Sequence, residues 1–222
     1  MKKIIFMMLF ASVNAYAEFS ANIGATSNYV WRGVTQTDDS AAVQGGVDYS
    51  HASGFYIGTW ASNIDWGGAD NKGTEVDVYL GLAKELGDFS YDAGANRYIY
   101  PDSNHKDADF TEIYAKLGYK NVSGGIAYTV DGDAADDEVF SKGDLYYHLG
   151  LDFDLNKKWG LGFVLGHYDF DTPNNSSDYA HGRVNLTRKT ENHGDFTFSI
   201  SIAEEESGSD DALVFVSWNK TF

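Results

Sequence analysis

The sequence predicts an all-β fold: a single antiparallel transmembrane β-barrel of about twelve strands, preceded by a cleaved signal peptide. Three observations carry that expectation. The chain opens with Lys2-Lys3, an apolar run from Ile4 to Ala11, and a small-x-small site at Ala15-Tyr16-Ala17. The apolar core is too short to span a bilayer, so 1–17 reads as an export signal and 18–222 as the barrel. The last strand alternates up to Phe222, with Val214, Val216, Trp218, Lys220 and Phe222 on one face and Phe215, Ser217, Asn219 and Thr221 on the other. Between these ends, apolar residues recur at every second position in segments separated alternately by short turns and longer polar loops.

The segments follow one rhythm. Strand one is expected over 19–35, unusually long, with an irregularity near Ser27-Asn28. Strand two covers 41–51, and Ala52-Ser53-Gly54 turns it into strand three, 55–64. A loop through Gly67-Gly68 leads to strand four, 74–84, and Glu85 to Asp88 turns it into strand five, 89–100. After a polar loop, strand six is 109–119; Lys120-Asn121 then opens strand seven, 122–131. An acidic loop precedes strand eight, 143–154, which turns through Leu155 to Lys157 into strand nine, 158–170. Strand ten is 178–189, strand eleven 195–203, and the final strand 211–222. With the first strand rising from the periplasm, every short turn falls periplasmic and every longer, mostly acidic loop falls outside.

Composition fits this reading. The 24 glycines, 15 tyrosines and 14 phenylalanines against only 2 prolines are a β-rich balance. The chain has no cysteine, which excludes a disulfide framework, thiol catalysis and thiolate metal sites. A net charge of −17 argues against nucleic acid as a partner. The excess acid sits in loops such as Asp38-Asp39, Asp136-Asp137-Glu138 and Glu204-Glu205-Glu206.

Alternation alone also describes a soluble barrel, so the character of the faces matters. Strand eleven sets Phe196, Phe198, Ile200 and Ile202 against Thr197, Ser199 and Ser201. Strand nine sets Trp159, Leu161, Phe163 and Leu165 against a face with Gly160, Gly162 and Gly166. Polar faces built of Gly, Ser, Thr, Asn and Asp suit a crowded or watery lumen, whereas solvated surfaces favour Lys and Glu. Tyr49, Phe55, Phe89, Tyr119, Trp159 and Trp218 near strand ends suit an interfacial girdle.

The stretch from Ser27 to Thr37, SNYVWRGVTQT, with Gln44 to Tyr49 and Gly54 to Asn63 after it, resembles the TorF-type porin family, proteobacterial outer-membrane proteins formerly of unknown function. The resemblance implies a barrel in the bacterial outer membrane. It brings no functional residues with it.

By parity, the charged and polar candidates for a pore lining are Asp48, Asp77, Asp92, Glu112, Asp152, His181, Arg183 and Asn185. Arg32 joins them, although its neighbours Val30 and Val34 leave its face open. Opposed acidic and basic walls would favour polar or zwitterionic solutes; the same residues could instead pair and plug the lumen. A channel would need facing Gly and Ser to leave room, and a plug would need Tyr79, Tyr114 and Tyr146 to meet. The leading expectation is a passive outer-membrane channel for small polar solutes or ions, without a cofactor. The alternatives are a closed structural or adhesive barrel, or a lipid-acting enzyme. An enzyme would need an outward His and Ser; His167 has the right parity, but no serine is marked as its partner and no Gly-x-Ser-x-Gly elbow is present. Asp131, Asp133 and Asp136 to Glu138 offer hard oxygen ligands but lack the EF-hand spacing. The expected partners are outer-membrane lipid, lipopolysaccharide, and the barrel-assembly machinery reading the strand that ends at Phe222.

Overall fold

Twelve strands close on themselves in the computed structural model, which describes residues 17–68, 71–102, 107–135, 138–172, 177–208 and 211–222. Apart from Ala17, the expected signal segment lies outside them. In chain order the strands are β1 (Glu18–Thr26), β2 (Val30–Trp31), β3 (Val34–Thr35), β4 (Ala42–Ser50), β5 (Phe55–Asp65), β6 (Lys72–Leu86) and β7 (Phe89–Ile99). They continue as β8 (Phe110–Tyr119), β9 (Val122–Gly132), β10 (Leu145–Asn156), β11 (Trp159–Asp169), β12 (Tyr179–Arg188), β13 (Asp195–Ala203) and β14 (Leu213–Thr221). All but β2 and β3 form the barrel, each antiparallel to its neighbours, and β14 closes on β1. The Phe222 N–H donates to the Ala21 carbonyl at 2.9 Å at that seam.

The two faces separate as parity requires. Outward-pointing Leu80, Leu82, Leu117, Leu149, Leu165, Ile202 and Val214 are each more than 45% exposed. Such a continuous apolar belt far exceeds what a water-soluble surface carries, and it matches a hydrocarbon environment. Ser62, Glu75, Asp92, Thr129, Ser199 and Ser201 are buried on the inner face. Short turns at 51–54, 87–88, 120–121, 157–158 and 189–194 share one end, and longer connections share the other. The girdle aromatics named above gather at the short-turn end, where Phe19 meets Tyr49 at 5.0 Å and Phe89 meets Tyr119 at 4.6 Å.

Eleven of the expected strands match to within two residues; the first does not. Strand one stops at Thr26 instead of continuing to Thr35. The Ser27 N–H still donates to the Val216 carbonyl at 2.9 Å, and Thr26 Oγ1 turns onto the Asn28 carbonyl at 2.7 Å where the chain leaves the wall. The chain then makes the small hairpin β2–β3, with Val30 opposite Thr35 and Trp31 opposite Val34. Arg32 (φ 46) and Gly33 (φ 94) form its tip in left-handed conformations. Tyr29, Val30, Trp31 and Val34 keep a strand-like composition through this stretch, which is why it reads as strand, yet the hairpin folds into the barrel.

Candidate functional site: the hairpin-narrowed lumen

Glycine at 33 lets the tip lie directly on the wall. A Cβ there would sit 2.6 Å from the His181 Cβ, and the positive φ adds its own penalty to any side chain. With the tip seated, the Arg32 guanidinium reaches Glu112 on β8 in a two-pronged ion pair: Nη1 to Oε1 at 2.7 Å and Nη2 to Oε2 at 2.6 Å. A β-bulge beside Glu112, where Thr111 pairs with Asp131 and Glu112 with Thr129, sets its place on the inner wall. The Tyr168 hydroxyl donates to Oε1 at 3.2 Å and that of Tyr98 to Oε2 at 3.3 Å, so both carboxylate oxygens are occupied. The cation also lies over the rings of Tyr146 (4.0 Å), Trp31 (4.2 Å) and Tyr168 (5.0 Å). Planar charge, paired edge-on and stacked face-on, is what arginine provides and lysine does not.

Trp31 completes the seat. Its ring packs against Tyr98, Phe110, Phe140 and Tyr168 at centroid distances from 5.7 to 6.2 Å. On the far side of the hairpin the Tyr29 hydroxyl donates to Glu75 Oε1 at 2.8 Å, and Tyr100 donates to Oε2 at 3.2 Å. The lumen is therefore narrowed toward the long-loop end by an aromatic layer with two buried carboxylates, each held by tyrosine hydroxyls.

All eight candidates on the wall point inward. Asp48 accepts from the Tyr79 hydroxyl at 2.5 Å, and Asp92 accepts from Tyr56 at 2.6 Å. Asp77 accepts from Asn96 Nδ2 at 3.3 Å, Asn185 accepts from Ser199 Oγ at 2.8 Å, and His181 Nε2 meets the Tyr146 hydroxyl at 2.9 Å. Asp152 lies across from Gly162, nearer the short-turn end. Arg183 shares a cavity with Asp77. Arg32, the ninth, reaches the lumen from the hairpin rather than from a wall strand. Tyr79, Tyr114 and Tyr146 take different partners: Asp48, the Tyr56 hydroxyl, and Arg32 with His181 respectively. Below the hairpin a cavity of about 320 Å³ remains.

Parity missed Tyr29 and Trp31, because they sit in what read as a wall strand. Their signal was local: an Arg-Gly tip followed by the polar run Thr35-Gln36-Thr37-Asp38-Asp39 suits a turn better than a strand. On the outer face, His167 lies 5.2 Å from the Tyr147 ring. Among the acidic-loop ligands weighed for a metal, Asp131 and Asp133 instead face Arg97, at 3.2 and 3.5 Å. Asp136 and Asp137 lie outside the described residues.

A family model described as a bacterial protein of unknown function (Gcw_chp) matches residues 11–213. The chain belongs to this family. No curated protein matches it. Among solved structures, a KdgM porin is similar over 91% of this chain and 98% of its own length, with a TM-score of 0.60 and 11% identity. A NanC porin matches over 92% and 98%, with a TM-score of 0.54 and 12% identity. The COG4313 outer membrane channel from Pseudomonas putida F1 matches over 99% and 100%, with a TM-score of 0.54 and 10% identity. At these identities the likeness is one of fold: this Gcw_chp chain is a twelve-stranded barrel of the porin kind.

Proposed function

We propose that the protein is a narrow outer-membrane channel for passive diffusion of small polar solutes or ions. The observation that carries this is a closed barrel, apolar outside and polar inside, whose lumen is narrowed by an inward hairpin yet retains a cavity of about 320 Å³ beneath it. The fold shared with structures titled as porins and as an outer membrane channel supports the same reading, as does the resemblance of the N-terminal third to TorF-type porins. The nine inward residues are the lining that would set selectivity. The belt contacts lipid, the acidic long loops lie toward lipopolysaccharide, and the terminal strand is the segment for the assembly machinery. No step of passive diffusion needs a cofactor.

The packing around Trp31 favours a second reading, a closed barrel in which the hairpin is a permanent plug. One experiment separates the two: single-channel recording of the folded protein in a planar bilayer, with reversal potential under a salt gradient. Stepwise conductance supports the channel, and the reversal sign reports whether acids or arginines dominate the lumen. Silence from a verified barrel sinks the channel and leaves the plug.

A further inference from the structure

The cavity under the hairpin has walls of opposite charge. Asp77 on β6 and Arg183 on β12 both line it, and these strands stand six places apart in the closed ring of twelve, on opposite sides of the lumen. Glu75, two residues from Asp77 on the same inner face, is held apart from it by the hydroxyls of Tyr29 and Tyr100. Arg32 and Glu112, at the hairpin, are paired with each other. Asp77 Oδ1 has no hydrogen-bond partner among the described residues, and Oδ2 has only the long bond from Asn96. Trp60 and Tyr98 give the cavity flat apolar walls, and Gln44 adds an amide.

We infer that this cavity is a binding site for a small zwitterion, a solute with a cationic and an anionic end, held across the lumen with its cation toward Asp77 and its anion toward Arg183. The inference rests on the channel reading for its transport consequence, but the site itself does not require an open pore. An ion of one sign is attracted by one wall and repelled by the other. A neutral solute gains nothing from the charges beyond ordinary hydrogen bonds. A zwitterion aligned with the field gains at both ends while carrying no net charge into the barrel. A liquid water occupies about 30 Å³, so the volume admits a compact solute of several heavy atoms with some of its water.

The test compares alanine with lactamide, which has nearly the same size and shape but no charges, by osmotic swelling of proteoliposomes holding the full folded barrel. Folding of every variant is checked by heat-modifiable migration. Alanine is expected to enter on the order of two- to five-fold faster than lactamide, the ratio corresponding to a partly solvated charge pair. In Asp77→Asn and Arg183→Gln that ratio falls toward one. Equal rates in the parent protein, or a ratio that neither variant changes, overturn the zwitterion site and leave a channel for neutral polar solutes. If neither solute enters, the channel reading fails, and tryptophan fluorescence titrated with alanine then decides the site. Saturable change lost in Asp77→Asn upholds it, and no change overturns it.

Discussion

Arg32 and Glu112 lie 80 residues apart in sequence and are joined by two charge-assisted hydrogen bonds inside the barrel. Their side chains are 11% and 3% exposed, so neither charge has water to fall back on. The pair therefore acts as the catch that holds the hairpin against the wall.

Breaking the catch from one side should be far worse than removing it whole. Arg32→Ala leaves Glu112 buried with only tyrosine hydroxyls for partners, a change that typically costs about 3–5 kcal/mol. Because the hairpin is an appendage to a wall that closes without it, this cost is expected to release the hairpin rather than unfold the barrel. Larger conductance steps and a red-shifted Trp31 emission would report release. The double variant Arg32→Met with Glu112→Leu, which removes both charges, should recover most of the original emission. If Arg32→Ala leaves emission and conductance unchanged, the pair is not the catch.

Gly33 tests the same seat by shape instead of charge. Gly33→Ala places a methyl 2.6 Å from the His181 Cβ at a φ of 94°, and such strain costs on the order of 1–3 kcal/mol. Gly87→Ala is the control, since that short-turn glycine also has a positive φ (66°) but open space around its Cβ position. The Trp31 emission should shift in the first variant and not in the second. Equal shifts would mean the tip does not bear on His181.

The contrast between wall and hairpin explains what was legible in the sequence. A strand's side chains alternate strictly, so one correct parity assignment places Asp48, Asp77, Asp92, Glu112, Asp152, His181, Arg183 and Asn185 inward together. Boundaries were equally accessible, because a turn such as Lys120-Asn121 interrupts the alternation. The hairpin escaped because Val30, Trp31 and Val34 keep strand-like composition while the chain leaves the sheet. It is marked by a side-chain bond from Thr26 and a left-handed Arg32, neither of which changes the hydrophobic pattern. Nor could alternation reveal that Arg32 meets Glu112, since that contact depends on where the tip lands within a closed ring.

At the long-loop rim, Asp144 gives a pH-dependent prediction. It is 1% exposed and accepts the Asp171 N–H at 2.9 Å, tying the residue that precedes β10 to the segment that follows β11. Burial pushes its carboxyl up to about 6, and nearby Asp171 and Glu112 push the same way against the backbone N–H bonds. A raised folded value means the folded rim prefers the protonated form. The stabilisation is complete below the ordinary carboxylate value near 4 and is lost as pH rises through about 6. Protection of the Asp171 amide, corrected for intrinsic exchange, should therefore fall between those values and level off above. In Asp144→Asn the protection should be flat across the window; an unchanged slope would assign it to another group.

The outward belt makes a prediction about the solvent that the barrel requires. Leu149 and Leu165 are direct cross-strand partners in the middle of β10 and β11, at 63% and 67% exposed. In water, exchanging either for arginine would cost little and would improve solubility. In a bilayer the same exchange puts a cation at mid-depth among acyl chains, where it costs about 2–4 kcal/mol. Thr187→Arg provides the comparison, because Thr187 faces the lumen close to the short-turn end, where a charge can reach water. Reversible urea unfolding in thin phosphatidylcholine vesicles should show Leu165→Arg destabilised by about that amount and Thr187→Arg much less. Equal losses, or none for Leu165→Arg, would mean that the apolar belt does not face lipid, and with it the membrane placement of the barrel would fall.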